Sequence, residues 1–399
     1  MPSTRSLRRT AFVLAAAAMC LLSACSPVAP SMTAPTTSAA TTAATTEPVG
    51  NDAPPVDAPS PRFAIGCDAV LPRTALVALL GAGEAPLGEV DLGAVSAPDA
   101  SAAAQVGALE CAWNDGRVGS TWTGPVEGAQ SVRLGIVPDA QEAAQAYADL
   151  YNGGETPTPY GATAQGPRCV AFDVDAFCEL HGWLAEAWIA LQIDGIVLEE
   201  GDTEASLAAE FTALTDAMIA ALADVGSSSE PWMPPASTRS VEECEQLTTP
   251  AELTEVTGLP DLRFGLSWDG PRVGQYWYSV QETGAMRCSI GFSQSESGYG
   301  TVSYLPGGDW RYLLERDAWI ADGGAFVDVP GLDSEAAVLR CADDSQPCML
   351  DLRLDRGWVR ISFPEVPPAS VTYLPEGLDF VAARSSIVEL ASRIVANAG

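Results

Sequence analysis

The chain contains no lysine: its 20 basic residues are all arginine, set against 52 aspartates and glutamates. Without lysine there is no Schiff-base nucleophile, no Ser-Lys hydrolase and no Walker-type phosphate loop. Histidine is nearly absent too, with His181 alone. That excludes a zinc site built from histidines and leaves one residue around which a Ser-His-Asp triad could form. Its setting, Cys178-Glu-Leu-His-Gly-Trp183, reads as a solvated turn histidine. No Cys-x-x-Cys occurs, which removes thioredoxin-like redox chemistry. A net charge of −32 repels phosphate backbones and anionic headgroups, so nucleic acid is excluded as a partner. Beyond the N-terminus no stretch approaches 18 apolar residues without a charge, the length that suggests a membrane span.

The N-terminus is what remains for anchoring. Arg5, Arg8 and Arg9 precede an apolar run from Ala11 to Leu22, a secretory signal by charge and length. The run ends in Leu22-Ser23-Ala24-Cys25, which resembles the lipobox of bacterial lipoproteins. The resemblance implies cleavage after Ala24, lipidation (palmitate included) at Cys25, and residence on the outer face of the cytoplasmic membrane. Cleavage removes three arginines and no acid, leaving 17 basic against 52 acidic residues. From Cys25 to about residue 60 the chain is Ala, Thr, Pro and Ser, too poor in large apolar side chains to offset its ordering entropy and expected to be a disordered tether.

Apart from Cys20 and Cys25, eight cysteines remain, at 67, 111, 169, 178, 244, 288, 341 and 348. An even number in an exported chain reads as a disulfide framework. Cys67 to Cys111 and Cys244 to Cys288 have equal separations, and each half then carries a close pair, Cys169/Cys178 and Cys341/Cys348. Other signals keep step. Cys67 leads through Pro72 into TALVALLG, and Cys244 through Pro250 into AELTEVTG, where Thr249-Pro250-Ala251-Glu252 is a capping box and Gly258 a stop. SVRLGIVPDAQEAAQAYADLY parallels TVSYLPGGDWRYLLERDAW, Gly182-Trp183 parallels Gly357-Trp358, and each half closes in an apolar-periodic helix near 203–224 and 376–397.

These signals predict two copies of one domain, 62–226 and 241–399, joined by a linker at 227–240. Each is α+β, a mostly antiparallel sheet with helices packed on one face. About 160 residues per copy suffices for a core. The expected bridges are Cys67–Cys111, Cys169–Cys178, Cys244–Cys288 and Cys341–Cys348.

Two ten-residue stretches look alike, WNDGRVGSTW from Trp113 and WDGPRVGQYW from Trp268. The first follows Cys111 and the second precedes Cys288, so they occupy different connections and read as convergent turn chemistry. The second copy still concentrates aromatics. Read as a strand, YWYS puts Tyr276 and Tyr278 on one face and Trp277 on the other. With Trp268 and Arg272 these residues form the candidate binding surface, since Trp, Tyr and Arg dominate interfaces. The acids Asp173, Asp175, Asp343 and Asp344 read as hairpin-turn residues. Weak calcium binding there, or at Asp328, Asp333 and Glu335, is the alternative, although no EF-hand ligand series follows. No metal site, cofactor or catalytic residue is predicted.

The lipobox, the Thr/Pro/Ala tether and the stapled repeats resemble cell-envelope lipoproteins of high-GC Gram-positive bacteria. CEQLTTPAELTEV resembles the helix that opens an uncharacterised lipoprotein domain, and the unit is distantly similar to extracellular sensor domains of mycobacterial-type receptor kinases. That resemblance implies no established activity. The expected function is a non-enzymatic, membrane-anchored binding or accessory module for an envelope protein or ligand, touching the membrane through its lipid alone. A carboxylate-dependent envelope hydrolase is the alternative, and two acids from separate strands converging in a pocket would favour it.

Overall fold

The computed structural model describes residues 58–81, 85–90, 97–117, 128–152, 156–158, 161–172, 174–184, 186–225, 230–234, 241–265, 274–292, 298–341, 348–363 and 386–398. Residues 1–57, which include Cys25 and nearly all of the expected tether, lie outside them, as do Trp268, Arg272, Asp173, Asp343 and Asp344.

Alternation drives strand formation. In SVRLGIV the residues Val132, Leu134 and Ile136 are buried on one side, and Ile189, Leu191 and Ile193 repeat the pattern in AWIALQIDGIV. The first sheet comprises β1 (Gly88–Glu89), β2 (Leu109–Asn114), β3 (Ser131–Val137), β4 (Thr156–Thr158), β5 (Gly161–Ala171), β6 (Asp175–Leu184) and β7 (Ala187–Val197). Its order is β1-β2-β3-β7-β6-β5-β4. The second comprises β8 (Leu262–Gly265), β9 (Met286–Phe292), β10 (Gly298–Leu305), β11 (Ala325–Phe326), β12 (Ala337–Cys341), β13 (Cys348–Leu354) and β14 (Gly357–Phe363). Its order is β8-β9-β10-β14-β13-β12-β11, the same topology strand for strand. Every pairing in both sheets is antiparallel. The chain is thus two α+β domains of one design.

The helices correspond as well. In the first repeat they are α1 (Cys67–Val70), α2 (Arg73–Leu80), α3 (Ala102–Gln105, preceded by a 3-10 turn at Asp99–Ser101), α4 (Gln141–Asn152) and α5 (Glu204–Val225). In the second they are α6 (Cys244–Leu247), α7 (Pro250–Thr257), α8 (Gln275–Thr283), α9 (Asp309–Ala321) and α10 (Ile387–Asn397). The capping box at α7 forms: Thr249 Oγ1 accepts from Glu252 N–H (3.2 Å), and Glu252 Oε2 accepts from Thr249 N–H (2.8 Å). Gly258 ends the helix with φ of 71°. Asn397 also donates to Glu252, fastening α10 to this corner.

The helices are not confined to one face of each sheet, contrary to the expectation from the sequence pattern. One face of the first sheet packs α2 and α5 in a single core. Leu207, Phe211, Leu214, Met218 and Leu222 give α5 an apolar stripe at helical spacing. By length and composition α5 could cross a membrane, but that stripe packs in this core. The opposite face carries a second cluster, in which Ala140, just before α4, and Ala144 and Ala148 within it meet Trp183 and Trp188. The second repeat does the same with α9, where Tyr312 and Trp319 cover Val338 and Trp358. The physical reason lies in the tryptophans: strands that put Leu and Ile inward put Trp outward, and those rings need cover.

Four disulfides join Cys67–Cys111, Cys169–Cys178, Cys244–Cys288 and Cys341–Cys348, the pairs that the spacing singles out. The two long bridges tie the opening helix of each repeat to its second strand. On the chain-entropy model they contribute about 4 kcal/mol each and the short ones about 2.5 kcal/mol. The short bridges join residues directly opposed across hairpins.

The Trp-bounded stretches lie in different connections, β2–β3 and β8–β9. In the first, Asp115, Gly116 (φ 78°) and Arg117 turn the chain. Burial alone would raise the Asp115 pKa. Hydrogen bonds from the backbone N–H groups of Gln130 (3.0 Å) and Arg117 (2.9 Å), and from the Arg117 side chain, hold it below the usual carboxylate range. The second stretch ends as helix. The Gly-Trp correspondence also shifts. Gly357-Trp358 opens β14, whereas Gly182-Trp183 lies near the end of β6; the counterpart of Trp358 in the first repeat is Trp188, since Trp358 pairs with Leu305 at the end of β10 and Trp188 with Val137 at the end of β3.

Candidate functional site

Gln275-Tyr-Trp-Tyr-Ser-Val-Gln-Glu-Thr283 is the helix α8, not a strand. Gly274 (φ 122°) opens it and Gly284, left-handed at φ 67°, closes it. Inside, Ser279 Oγ donates to the Gln275 carbonyl (2.9 Å) and Thr283 Oγ1 to that of Ser279 (2.8 Å). On a helix Tyr276 and Val280 share a face (i, i+4), and both pack with Ala102, Ala285 and Leu305. Tyr278 joins the α4 cluster of the first repeat instead. The expected split of Tyr276 and Tyr278 against Trp277 is therefore corrected, because tertiary docking overrides the strand propensity of three consecutive aromatics.

Among the described residues of this surface, Tyr276 and Tyr278 are already engaged by the other repeat. Gln275 Nε2 donates to the carbonyls of Gly135 (3.0 Å) and Trp188 (2.9 Å). A Cβ at Gly135 would lie 2.2 Å from Gln275 Oε1, so a larger residue there would displace the Gln275 side chain. Tyr276 Oη donates to Asp99 Oδ2, and Arg287 stands 3.7 Å from the same oxygen. Burial first, then the Asp99 charge, drive the Tyr276 pKa far up. The Tyr278 pKa is pushed up to about 12 by burial and then by Glu282 and Asp139.

The contact is close to two-fold. Helices α3 and α8 occupy equivalent connections, β1–β2 and β8–β9, and touch each other. Gln105 Nε2 of α3 donates to the Pro306 carbonyl just beyond β10 (3.0 Å), and Tyr278 Oη of α8 donates to the Asp139 carbonyl just beyond β3 (3.1 Å). Each insertion helix thus reaches the end of the other repeat's third strand, as in an isologous dimer interface contained within one chain.

Two clefts flank α8. The larger, about 680 Å³, is lined by Trp277, Val280 and Gln281 of α8, by Met286 and Arg287, and by Val241, Glu242 and Glu243. The smaller, about 400 Å³, is lined by Tyr278, Glu282, Arg62, Asp139 and the linker residues Trp232 and Met233. Asp139 and Glu282 come from different elements, but the Asp139 carboxylate is ion-paired with Arg62. Of the acids weighed for calcium, Glu335 pairs with Arg316 (3.1 Å) and Asp333 with Arg353 (3.7 Å), and Asp175 accepts from the Gly128 N–H (3.2 Å). Among the described residues no group of three or more His, Cys, Asp or Glu is placed to hold a metal.

Beneath α4 and α9 sit two equivalent polar clusters that sequence reading missed. His181 and Asp351 each lie three residues past the second cysteine of a hairpin bridge, and Arg168 and Arg340 each precede the first. In the second repeat Asp351 is fully buried. It accepts from Arg340 Nη2 (2.7 Å), Arg360 Nε (2.7 Å) and Trp358 Nε1 (2.9 Å). Trp319 lies over both guanidinium groups, at 4.8 Å from that of Arg340 and 5.5 Å from that of Arg360.

In the first repeat Arg168 pairs with Glu179, and His181 stacks against Tyr147 with ring centroids 5.0 Å apart. His181 is a half-buried strand residue rather than a solvated turn residue. Burial lowers its pKa from the ordinary 6.5; Arg168 adds to this and Glu179 opposes it. A histidine with a depressed native pKa binds its proton more readily when unfolded. The stability it confers is therefore complete above pH 6.5 and is lost as pH falls below that value. Replacing His181 by Gln is expected to flatten the melting temperature of the first repeat between about pH 7 and 5. Melts of both proteins across that range check it, and equal slopes would contradict it.

No family model matches the chain, and no curated protein matches it. Among solved structures, a di-domain ARO/CYC protein, StfQ from the steffimycin biosynthetic pathway, aligns at 11% identity over 84% of this chain and 96% of that one. The TM-score is 0.15, too low for the alignment to bear on fold or function.

Proposed function

We propose that the protein is a non-enzymatic lipoprotein of the cell envelope, held to the outer face of the cytoplasmic membrane by Cys25 and acting as a binding or accessory module. The observation that carries the binding reading is the larger cleft beside α8. It has ligand-sized volume, an aromatic and aliphatic wall (Trp277, Val280, Met286) and a few polar groups on its rim (Glu242, Glu243, Arg287). Of the candidate residues that the structure describes, Trp277 lines this cleft, while Tyr276 and Tyr278 bond to the first repeat; Trp268 and Arg272 lie outside the described residues. A carboxylate-dependent hydrolase would draw on Asp139 and Glu282 in the smaller cleft, and Arg62 already engages the first of them.

Two measurements test this. Cys25→Ser should move the protein from the membrane fraction to the medium, because the acyl chains supply the anchor; retention in membranes would contradict the anchoring. For binding, wild-type and Trp277→Ala proteins are purified from membranes and their co-purifying molecules compared by mass spectrometry. A species held by the wild type and lost from Trp277→Ala supports the cleft. Identical sets would contradict it.

A further inference from the structure

The hairpin between β5 and β6 ends in an apolar tip. Phe172 and Val174 are each 56% exposed, and Phe172 stacks on Phe177 with centroids 5.9 Å apart. The tip is held in shape: Phe172 N–H donates to the Asp175 carbonyl (2.7 Å), and the Cys169–Cys178 bridge joins the strands just below. Apolar surface continues at the same end of the sheet. Val197, 37% exposed, is the register partner of Asp175, and Gly81 at the end of α2 abuts Val197. Val77 of that helix is 49% exposed. Single exposed apolar residues are ordinary, but a clustered set on a braced turn marks an interaction surface.

Its surroundings are mainly acidic, with Arg117 near Asp175 through Gly128 and Arg73 one turn before Val77 as the exceptions. The sequence has no arginine between Arg168 and Arg239, while Glu199, Glu200, Asp202 and Glu204 follow directly on β7. Glu204 Oε1 accepts from the Ala171 N–H (3.2 Å), which brings that acidic run against the hairpin. An anionic bilayer would be repelled by such a border. A protein surface with cationic groups around an apolar depression would meet both features.

We propose that the exposed side chains of Phe172 and Val174 dock a partner protein through an apolar pocket bordered by arginine or lysine. Its braced conformation lowers the ordering cost of binding, and Phe172 is the anchor. The surface lies roughly 30 Å along β7 from Trp188 and the α8 contact, so it stands or falls separately from the cleft beside Trp277.

The test uses the whole mature protein and a synthetic amphipathic helix with a leucine face bordered by arginines as probe. Titration calorimetry should show binding that weakens with salt, and amide exchange should show protection confined to residues near 170–177 and 196–204. Phe172→Ser and Val174→Ser should each weaken binding about tenfold or more. Leu314→Ser, at an exposed leucine of α9, should not, and all three proteins should melt with the wild type. Equal binding of a probe with glutamate in place of arginine, protection elsewhere, or an unchanged affinity for Phe172→Ser would overturn the proposal. Binding to phosphatidylglycerol vesicles that is lost in Phe172→Ser would also overturn it, by making the surface a lipid contact.

Discussion

Asp351→Ala should destabilise the second repeat by about 3–5 kcal/mol, the cost of leaving buried charge without its partner. Asp351 is the shared acceptor for Arg340, Arg360 and Trp358, with no exposure to solvent. Removing it takes away the carboxylate that the two guanidinium groups under Trp319 share. Since a domain is held by only about 5–15 kcal/mol, the second repeat would be marginal or unfolded at 37 °C. Replacing Arg340, Asp351 and Arg360 together by leucine should recover most of the loss, because an apolar isostere of a buried ion cluster is often near neutral. Denaturant titration followed by tryptophan fluorescence measures both. A loss under 1 kcal/mol for Asp351→Ala would contradict the assignment of a tightly coupled cluster.

Tyr276→Ala is expected to cost about 3 kcal/mol and to loosen the two repeats from each other. The substitution removes a ring packed against Ala102, Ala285 and Leu305, together with the hydroxyl that donates to the buried Asp99. Tyr276→Phe isolates the hydroxyl and should cost about 1–2 kcal/mol. Trp277→Ala, which enlarges the larger cleft, should cost less than Tyr276→Ala. Melting curves rank the three. A neutral Tyr276→Ala would mean that the ring is an exposed surface residue after all.

The duplication was legible because covalent and capping signals are local: equal cysteine separations, Thr249-Pro250-Ala251-Glu252, and Gly258 all state their structure without reference to distant residues. What the sequence obscured depended on contacts between distant parts. The β6–β7 connection is bracketed by the Leu184–Ala187 pair. It carries no Gly, Asn, Asp or Pro, so the turn reads as lying at Gly182, and His181 is mistaken for a loop residue. Helix α8 looks like a strand because aromatics favour strands. The better signals were the bracketing Gly274 and Gly284 and the i, i+4 pair Ser279 and Thr283, which suit a short helix. Asp351 and Arg360 sit at alternating polar positions that read as a solvated face. Only the register that sets them opposite each other, beneath α9, reveals a buried pair. Gly135 similarly reads as a weak spot in a strand until Gln275 is seen against it.

The placement of any binding site follows from whether α8 is an internal latch or a free surface, and amide hydrogen exchange on the intact protein tests this most directly. With α8 docked as described, the amides of Tyr278–Thr283 should be protected to nearly the same degree as those of β9 and β10. Tyr276→Ala should release them while leaving the strands of both sheets protected. Exchange of these wild-type amides at the rate of an exposed loop would contradict the account.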